Sequence, residues 1–268
     1  MIVIIDSFDE YADFILDVSC DPLFCDPHFT YEPNNLYDAL QKKNEFAFAV
    51  MTDGTIQGLF VWLIHSDEQY TEMLIGLTKV ETAFSEMLCY MEERYQGYKA
   101  DFVINPKNAV LIHALKGKNA FFDKEQQKMI LTGAVPGIST GCVEQYSEKW
   151  RDQYCALHGT DTYWTAERVL SALDRFHVLL AVQNQQIQGY LDVTYCYDMN
   201  EPYDLFVRPE LSFQEYAIPL LVEAIKLNGP NQMMVLVYTE AAEEIAAYTA
   251  AGFEKVEGQN SVYASYLL

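Results

Sequence analysis

Several side chains in the second half of this chain have the types that proton-transfer chemistry uses. Tyr248 lies four residues before Gly252-Phe253, at the end of an apolar stretch with helical character. A phenol ordinarily titrates near pH ~10, so it is a proton donor at neutral pH. Asp192, Asp204 and Glu240 fall on or beside apolar runs that read as strands, and each could accept a proton. Glu240 is the favoured base: it follows the run Met233–Tyr238 at its C-terminal end, where open α/β sheets place ligands. Its bland alternative is a solvated acid beside a helix N-terminus. His158 and His177 fall at element edges and read as solvated or capping residues. Tyr248 could equally pack a helix onto a sheet, since the chain has 19 tyrosines.

One pattern looks like a metal site. Cys20, Cys25 and His28 stand within one short segment that also contains Pro22 and Pro27. A structural zinc site wants four ligands and usually a tighter cysteine spacing, and no second Cys/His pair stands nearby. The segment reads as a Pro-punctuated loop with buried thiols, and no metal is assigned.

The elements that must position these residues follow from periodicity and breakers. In the first half, strands are predicted at 1–5, 46–50, 55–64, 73–77, 101–104 and 127–131. Helices are predicted from Ser7 to about Val18, from a cap at Asn34 or Asn35 to about Lys43, over 82–95, and from Pro106 to about Lys118; 20–33 is loop. In the second half, helices are predicted over 147–158, 166–174, 213–227 and 241–251. Strands are predicted over 178–182, 187–197, 203–207, 233–238 and 261–267. Strands 203–207 and 233–238 flank a helix and should lie parallel through a right-handed crossover. The fold class is mixed α/β (α+β), with helices on both faces of each sheet.

The chain repeats itself. Ile56-Gln57-Gly58 recurs as Ile187-Gln188-Gly189, each between an apolar strand with a polar turn and a second apolar run. The copies are almost half the chain apart, the size of a domain rather than of a solenoid unit. The Gly- and Pro-rich segment 133–141 is the expected linker between a first domain, 1–132, and a second, 142–268.

Composition narrows the partners. A net charge of −22 repels phosphate backbones, which argues against nucleic acid and suits solubility or a cationic partner. The N-terminus has no basic segment followed by an apolar stretch, and no apolar run has bilayer-spanning length, so neither a signal peptide nor a membrane partner is expected. Six scattered cysteines suit reduced thiols in a cytoplasm.

The order of elements resembles the GNAT superfamily of acyl-CoA-dependent N-acyltransferases, most closely from Ser147 to Leu267. Gly189 opens a long strand after a polar turn. Val207-Arg208-Pro209-Glu210 ends the central strand and leads into a helix ending Leu220 to Ile225. Ile245 to Phe253 looks like the family's late helix, in which a tyrosine stands four residues before Gly-Phe. The first half keeps the order but has Leu115 where the second has Tyr248, so it resembles the degenerate first domain of a tandem arrangement.

The resemblance implies acetyl-CoA, or another short acyl-CoA, as acyl donor and a small-molecule or peptide amine as acceptor. Tyr248 would give a proton to the departing thiolate. A backbone N–H of Leu205, Phe206 or Val207, where neighbouring strands splay, would bind the acyl carbonyl and stabilise oxyanion character. The turn over Phe213, Gln214, Glu215, Tyr216, Ala217 and Ile218 would face the pyrophosphate at a helix N-terminus. That turn has no glycine, and Glu215 brings a like charge toward the phosphates. A second implied reading therefore stays open: a catalytically inactive binding or regulatory module that has lost the pyrophosphate loop.

Overall fold

The computed structural model describes residues 1–268 except 32, 135 and 161. Glu32, in the expected loop, and Val135, in the expected linker, thus lie outside the described residues. The chain divides into two compact units, Met1–Gln126 with Glu257–Leu268, and Gln127–Val256.

The first unit is built on β1 (Ile2–Ile4), β2 (Glu45–Thr52), β3 (Thr55–His65), β4 (Tyr70–Leu77), β5 (Lys99–Ile104) and the first half of β6 (Phe121–Leu131). Its helices are α1 (Ala12–Ser19), α2 (Pro27–Tyr31), α3 (Asn34–Tyr37), α4 (Glu81–Arg94) and α5 (Ala109–Gly117). Strands β1 to β4 form an antiparallel meander, and β5 joins β4 in parallel. Period-two alternation sorts the core. Phe48, Val50, Phe60 and Trp62 pack on α4 and α5, while Ala47, Ala49, Leu59 and Val61 face α1 and α3.

The second unit holds the rest of β6 with β7 (Val143–Gln145), β8 (Phe176–Gln183), β9 (Gln186–Thr194), β10 (Met199–Asn200), β11 (Pro202–Val207), β12 (Gln232–Tyr238) and β13 (Phe253–Lys255). Its helices are α6 (Arg151–Leu157), α7 (Ala166–Ser171), α8 (Phe213–Asn228) and α9 (Ala242–Ala251). Strands β7, β8, β9 and β11 form one antiparallel sheet, while β12 belongs to a separate sheet beside β6 and β10. One face of this sheet buries Leu179, Leu191 and Val207 under α8 and α9. The other buries Val178, Leu180 and Tyr190 against Trp150 and Tyr154.

Four expectations need correction. The predicted helix from Pro106 starts at Ala109, because Asn108 caps it by accepting the Leu111 N–H at 3.1 Å. The loop 20–33 contains the short helix α2. Strands 203–207 and 233–238 do not pair: among the described residues β11 pairs only with β9, and β12 lies in another sheet. The units also do not divide at the linker. The last strand, β14 (Ser261–Leu267), pairs with β5 and with β6 residues 121–126, so the chain's end completes the first unit. Both edges of β14 are paired, one with β5 and one with β6, so its backbone groups are satisfied within the sheet.

Gly189 is required by a close approach. A Cβ there would lie 2.5 Å from Phe206 O, on the strand that pairs with it. Gly189→Ala must push β11 outward and is expected to cost about 1–3 kcal/mol, read as a lower midpoint in thermal unfolding. Gly252 has φ of 103° and ends α9 in the left-handed region, as expected of a helix-terminating glycine. All six cysteines are free thiols. No described helix is long and apolar enough to cross a membrane.

Candidate functional site

The two units treat the end of their central strand differently. In the first, β4 and β5 pair over Tyr70–Met73 and Lys99–Phe102, then β4 runs on to Leu77 without β5. The chain's own Asp26 and His28 fill the edge so exposed. The Gly76 N–H donates to Asp26 Oδ2 at 2.9 Å, and His28 Nδ1–H donates to Leu74 O at 2.9 Å. Asp26 is buried, and burial pushes its carboxyl up to about 6 against the charge of His28 and the backbone donors. The segment is anchored from below by Asn105 Nδ2, which donates to the carbonyls of Pro22 and Cys25 and to Cys25 Sγ. Cys20 is exposed, so Cys20, Cys25 and His28 serve separate surroundings.

In the second unit no described residue fills the matching edge in this way. The Arg208 N–H donates to Gln188 O at 2.9 Å, which fixes the alternation along β11. Asp204 and Phe206 therefore spend their backbone groups on β9, and those of Leu205 and Val207 face the outer edge. No other described strand pairs with that edge. Of the three expected backbone donors, Leu205 and Val207 are thus available and Phe206 is not.

Helix α8 begins just beyond. Its N-cap, Ser212, makes no side-chain capping bond, so the first-turn N–H groups of Phe213 and Gln214 keep the positive end of the helix dipole uncapped. The rest of the expected turn serves packing. Tyr216 is buried with its hydroxyl donating to Gln183 Oε1 at 2.9 Å, Ala217 is buried, and Ile218 packs on the same core. Glu215 is exposed. Gln214 Nε2 donates to Glu243 O at 2.7 Å and ties α8 to the start of α9. Arg208 is held by the Ile187 carbonyl through Nε at 2.7 Å.

Tyr248, on α9, is buried to 3 % exposure with its ring edge-on to Phe253 at 5.3 Å. Its hydroxyl makes no hydrogen bond among the described residues. Burial, then the charges of Glu244, Glu201 and Asp204, push the phenol well above its ordinary range. Those three carboxylates are therefore its electrostatic neighbours. Glu240 stands exposed at the end of β12 and is not among them. Glu201, the residue before β11, was missed by sequence reading. Its carboxylate has no hydrogen-bond or ion-pair partner among the described residues, and burial pushes it up to about 7. An acid just before Pro202 gives no signal by type or spacing.

Behind β11 lies a buried polar network. Asp204 Oδ2 accepts from the Tyr190 hydroxyl at 2.8 Å and faces His158 Nε2 at 3.5 Å. Nε2 is 2.9 Å from Asp192 Oδ2, which also accepts from the Tyr154 hydroxyl at 2.8 Å. His158 Nδ1 lies 3.1 Å from the Gly159 carbonyl. Both ring nitrogens thus face acceptors, which calls for an imidazolium. Burial opposes that charge, but the Asp192 hydrogen bond, the Gly159 carbonyl and the two carboxylate charges outweigh it and raise the ring above its ordinary value. His158 is a buried charged group rather than a solvated edge residue. His177 stacks on Tyr195 at 4.0 Å, and burial lowers its ring.

No family model and no curated protein sequence matches the chain. Solved structures do match in fold. A GCN5-related N-acetyltransferase from Sphaerobacter thermophilus has a TM-score of 0.58 at 11% identity, covering 82% of this chain and 80% of that one. A tandem GNAT protein from the clavulanic acid biosynthesis pathway has a TM-score of 0.56 at 13% identity over 100% of this chain and 98% of its own. A GCN5-related N-acetyltransferase from Kribbella flavida has a TM-score of 0.54 at 13% identity, covering 88% and 94%. The chain has the GNAT fold, as two sheet-and-helix modules in tandem.

Proposed function

We propose that the second unit is an acyl-CoA-dependent N-acyltransferase, taking acetyl-CoA or a short acyl-CoA as donor and a small-molecule or peptide amine as acceptor. The observation that carries this is the difference between the units. The first covers the end of its central strand with Asp26 and His28, whereas in the second no described strand pairs with the Leu205 and Val207 backbone groups, whose side chains share a core cluster with Tyr248. A free backbone N–H at that place can bind a thioester carbonyl and stabilise charge that develops on its oxygen. The uncapped start of α8 offers N–H groups and the helix dipole to a pyrophosphate without needing glycine side-chain space. Tyr248 is the donor for the thiolate. In this reading the first unit is a structural partner whose own edge is closed.

Calorimetry and thermal shift with acetyl-CoA and longer acyl-CoAs test the proposal. Saturable binding is expected, lost when Val207→Pro removes the edge N–H. Glu215 and the missing glycines favour one alternative, a non-catalytic binding module. Absence of heat and of thermal shift with every acyl-CoA would select that alternative.

A further inference from the structure

Among the described residues, the outer edge of β1 in the first unit has no partner strand. β1 ends the order of strands in its sheet and pairs on one side only, with β2. The Met51 N–H donates to Met1 O at 2.9 Å and the Ile5 N–H donates to Ala47 O at 3.0 Å, so Met1, Val3 and Ile5 spend their backbone groups on β2. The N–H and C=O groups of Ile2 and Ile4 therefore point away from the sheet, and no described strand meets them. An edge of this kind is a template for a further strand. Its two faces differ. The Ile4 side chain lies on the same face as Phe48, opposite it in register, and the residue is 60% exposed. On the other face the chain turns back through Asp6 and Ser7 into a 3-10 turn, Asp9–Tyr11, which Phe8 and Tyr11 hold to the core. A cleft of about 420 Å³ lies between that turn and β1, with Asp6, Asp9 and Glu10 in its wall.

Charge decides what fits there. Residues 1–41 contain no Lys or Arg. Lys79, which reaches this part of the chain, is spent on Asp17 and Asp21. Asp6, Asp9 and Glu10 are exposed and have no ion-pair partner among the described residues. A second copy of the chain would bring the same three acids, and a net charge of −22, against themselves, which opposes self-pairing. We propose that β1 takes up an extended segment of another protein as an added strand, a segment in which apolar residues alternate with Arg or Lys. Its backbone pairs with the outward groups of Ile2 and Ile4. Period-two alternation then sets its apolar side chains beside Ile4 on one face and its cations against the acids of the cleft on the other. β1 has only three residues, so few backbone bonds form and the ion pairs carry part of the affinity. The complex is therefore reversible and weakened by salt.

The probe is acetyl-Arg-Val-Arg-Val-Arg-Val-Arg-amide, which has no primary amine and so cannot serve as an acyl acceptor. Calorimetry with the full chain at physiological ionic strength should show saturable binding. Two N-methylated versions of the peptide, one blocking the valine amides and one the arginine amides, keep every charge. Only one set of amides faces β1, so one version should bind at least about ten-fold more weakly than the other. Equal binding by both would reduce the attraction to diffuse charge and overturn the added strand. That comparison uses the unaltered chain, so it holds whatever a substitution does to stability. Ile4→Pro removes an outward N–H that β2 does not use, which spares the sheet. It should weaken binding at least about ten-fold, as should Asp9→Asn combined with Glu10→Gln. In hydrogen exchange the Ile4 amide should slow when the peptide saturates. No saturable binding, unchanged binding in Ile4→Pro, or unchanged exchange at Ile4 overturns the proposal. So does a dimer seen by sedimentation velocity without peptide and lost in Ile4→Pro, because the occupant is then a second copy.

Discussion

Tyr248→Phe is expected to slow acyl transfer by roughly two to four orders of magnitude, with acyl-CoA affinity changed no more than about three-fold. The ring is buried edge-on to Phe253, and phenylalanine keeps that packing. The hydroxyl makes no hydrogen bond among the described residues, so its removal strands no partner. The fold should therefore be spared, and the loss should appear in kcat. The phenol's raised pKa has two consequences. It guarantees that the donor is protonated at any physiological pH. It also makes the phenol a weaker acid than an ordinary tyrosine, which opposes transfer to a thiolate. Steady-state kinetics with calorimetry of acyl-CoA binding decide the matter. Full turnover in Tyr248→Phe would reduce the residue to a packing role.

The chain's sequence speaks clearly where side-chain periodicity and single residue types decide the outcome. The alternation through Phe46–Val50 and Val178–Val182 marks strands that are buried on both faces. Gly189 and Gly252 mark a close approach and a left-handed turn that a β-carbon would obstruct. Tyr248, read from its spacing to Gly252-Phe253, does lie in the core beside the end of α9. What stayed illegible depends on contacts distant in sequence. Nothing local says that β14 prefers the gap between β5 and β6, because strand 261–267 reads alike whichever sheet receives it. Asp26 reads as a loop acid until Gly76, 50 residues on, is seen to donate to it. His158 looks like an edge residue because its partners sit 34 and 46 residues away, at Asp192 and Asp204. Glu240 satisfied a general rule about strand ends, whereas the carboxylates that bear on Tyr248 come from β11, its flank and α9. Distances in sequence carry no information about such convergence, and the charge state of His158 follows only from it.

The largest expected loss of stability is for Asp192→Ala, about 3–5 kcal/mol near pH 6. Asp192 is fully buried and is the nearer carboxylate to the His158 ring; Asp204 is more distant and partly exposed. Alanine leaves a buried imidazolium without its main partner and strands the Tyr154 hydroxyl in an apolar cluster. The pH dependence follows from His158. Its folded pKa is raised, so its stabilising contribution is fully present below the unfolded value of about 6.5 and is lost as pH rises through the higher folded value. The gap between wild type and Asp192→Ala should therefore be widest near pH 6 and narrow as pH rises through the raised folded value of His158. Asp192→Asn keeps the shape and one acceptor and should lose less, about 1–3 kcal/mol. Urea unfolding followed by tryptophan fluorescence reports on this cluster directly, because Trp150 and Trp164 pack in it with Tyr154 and Tyr190. A gap independent of pH would mean that His158 is neutral in the folded protein and that Asp192 contributes only its hydrogen bonds.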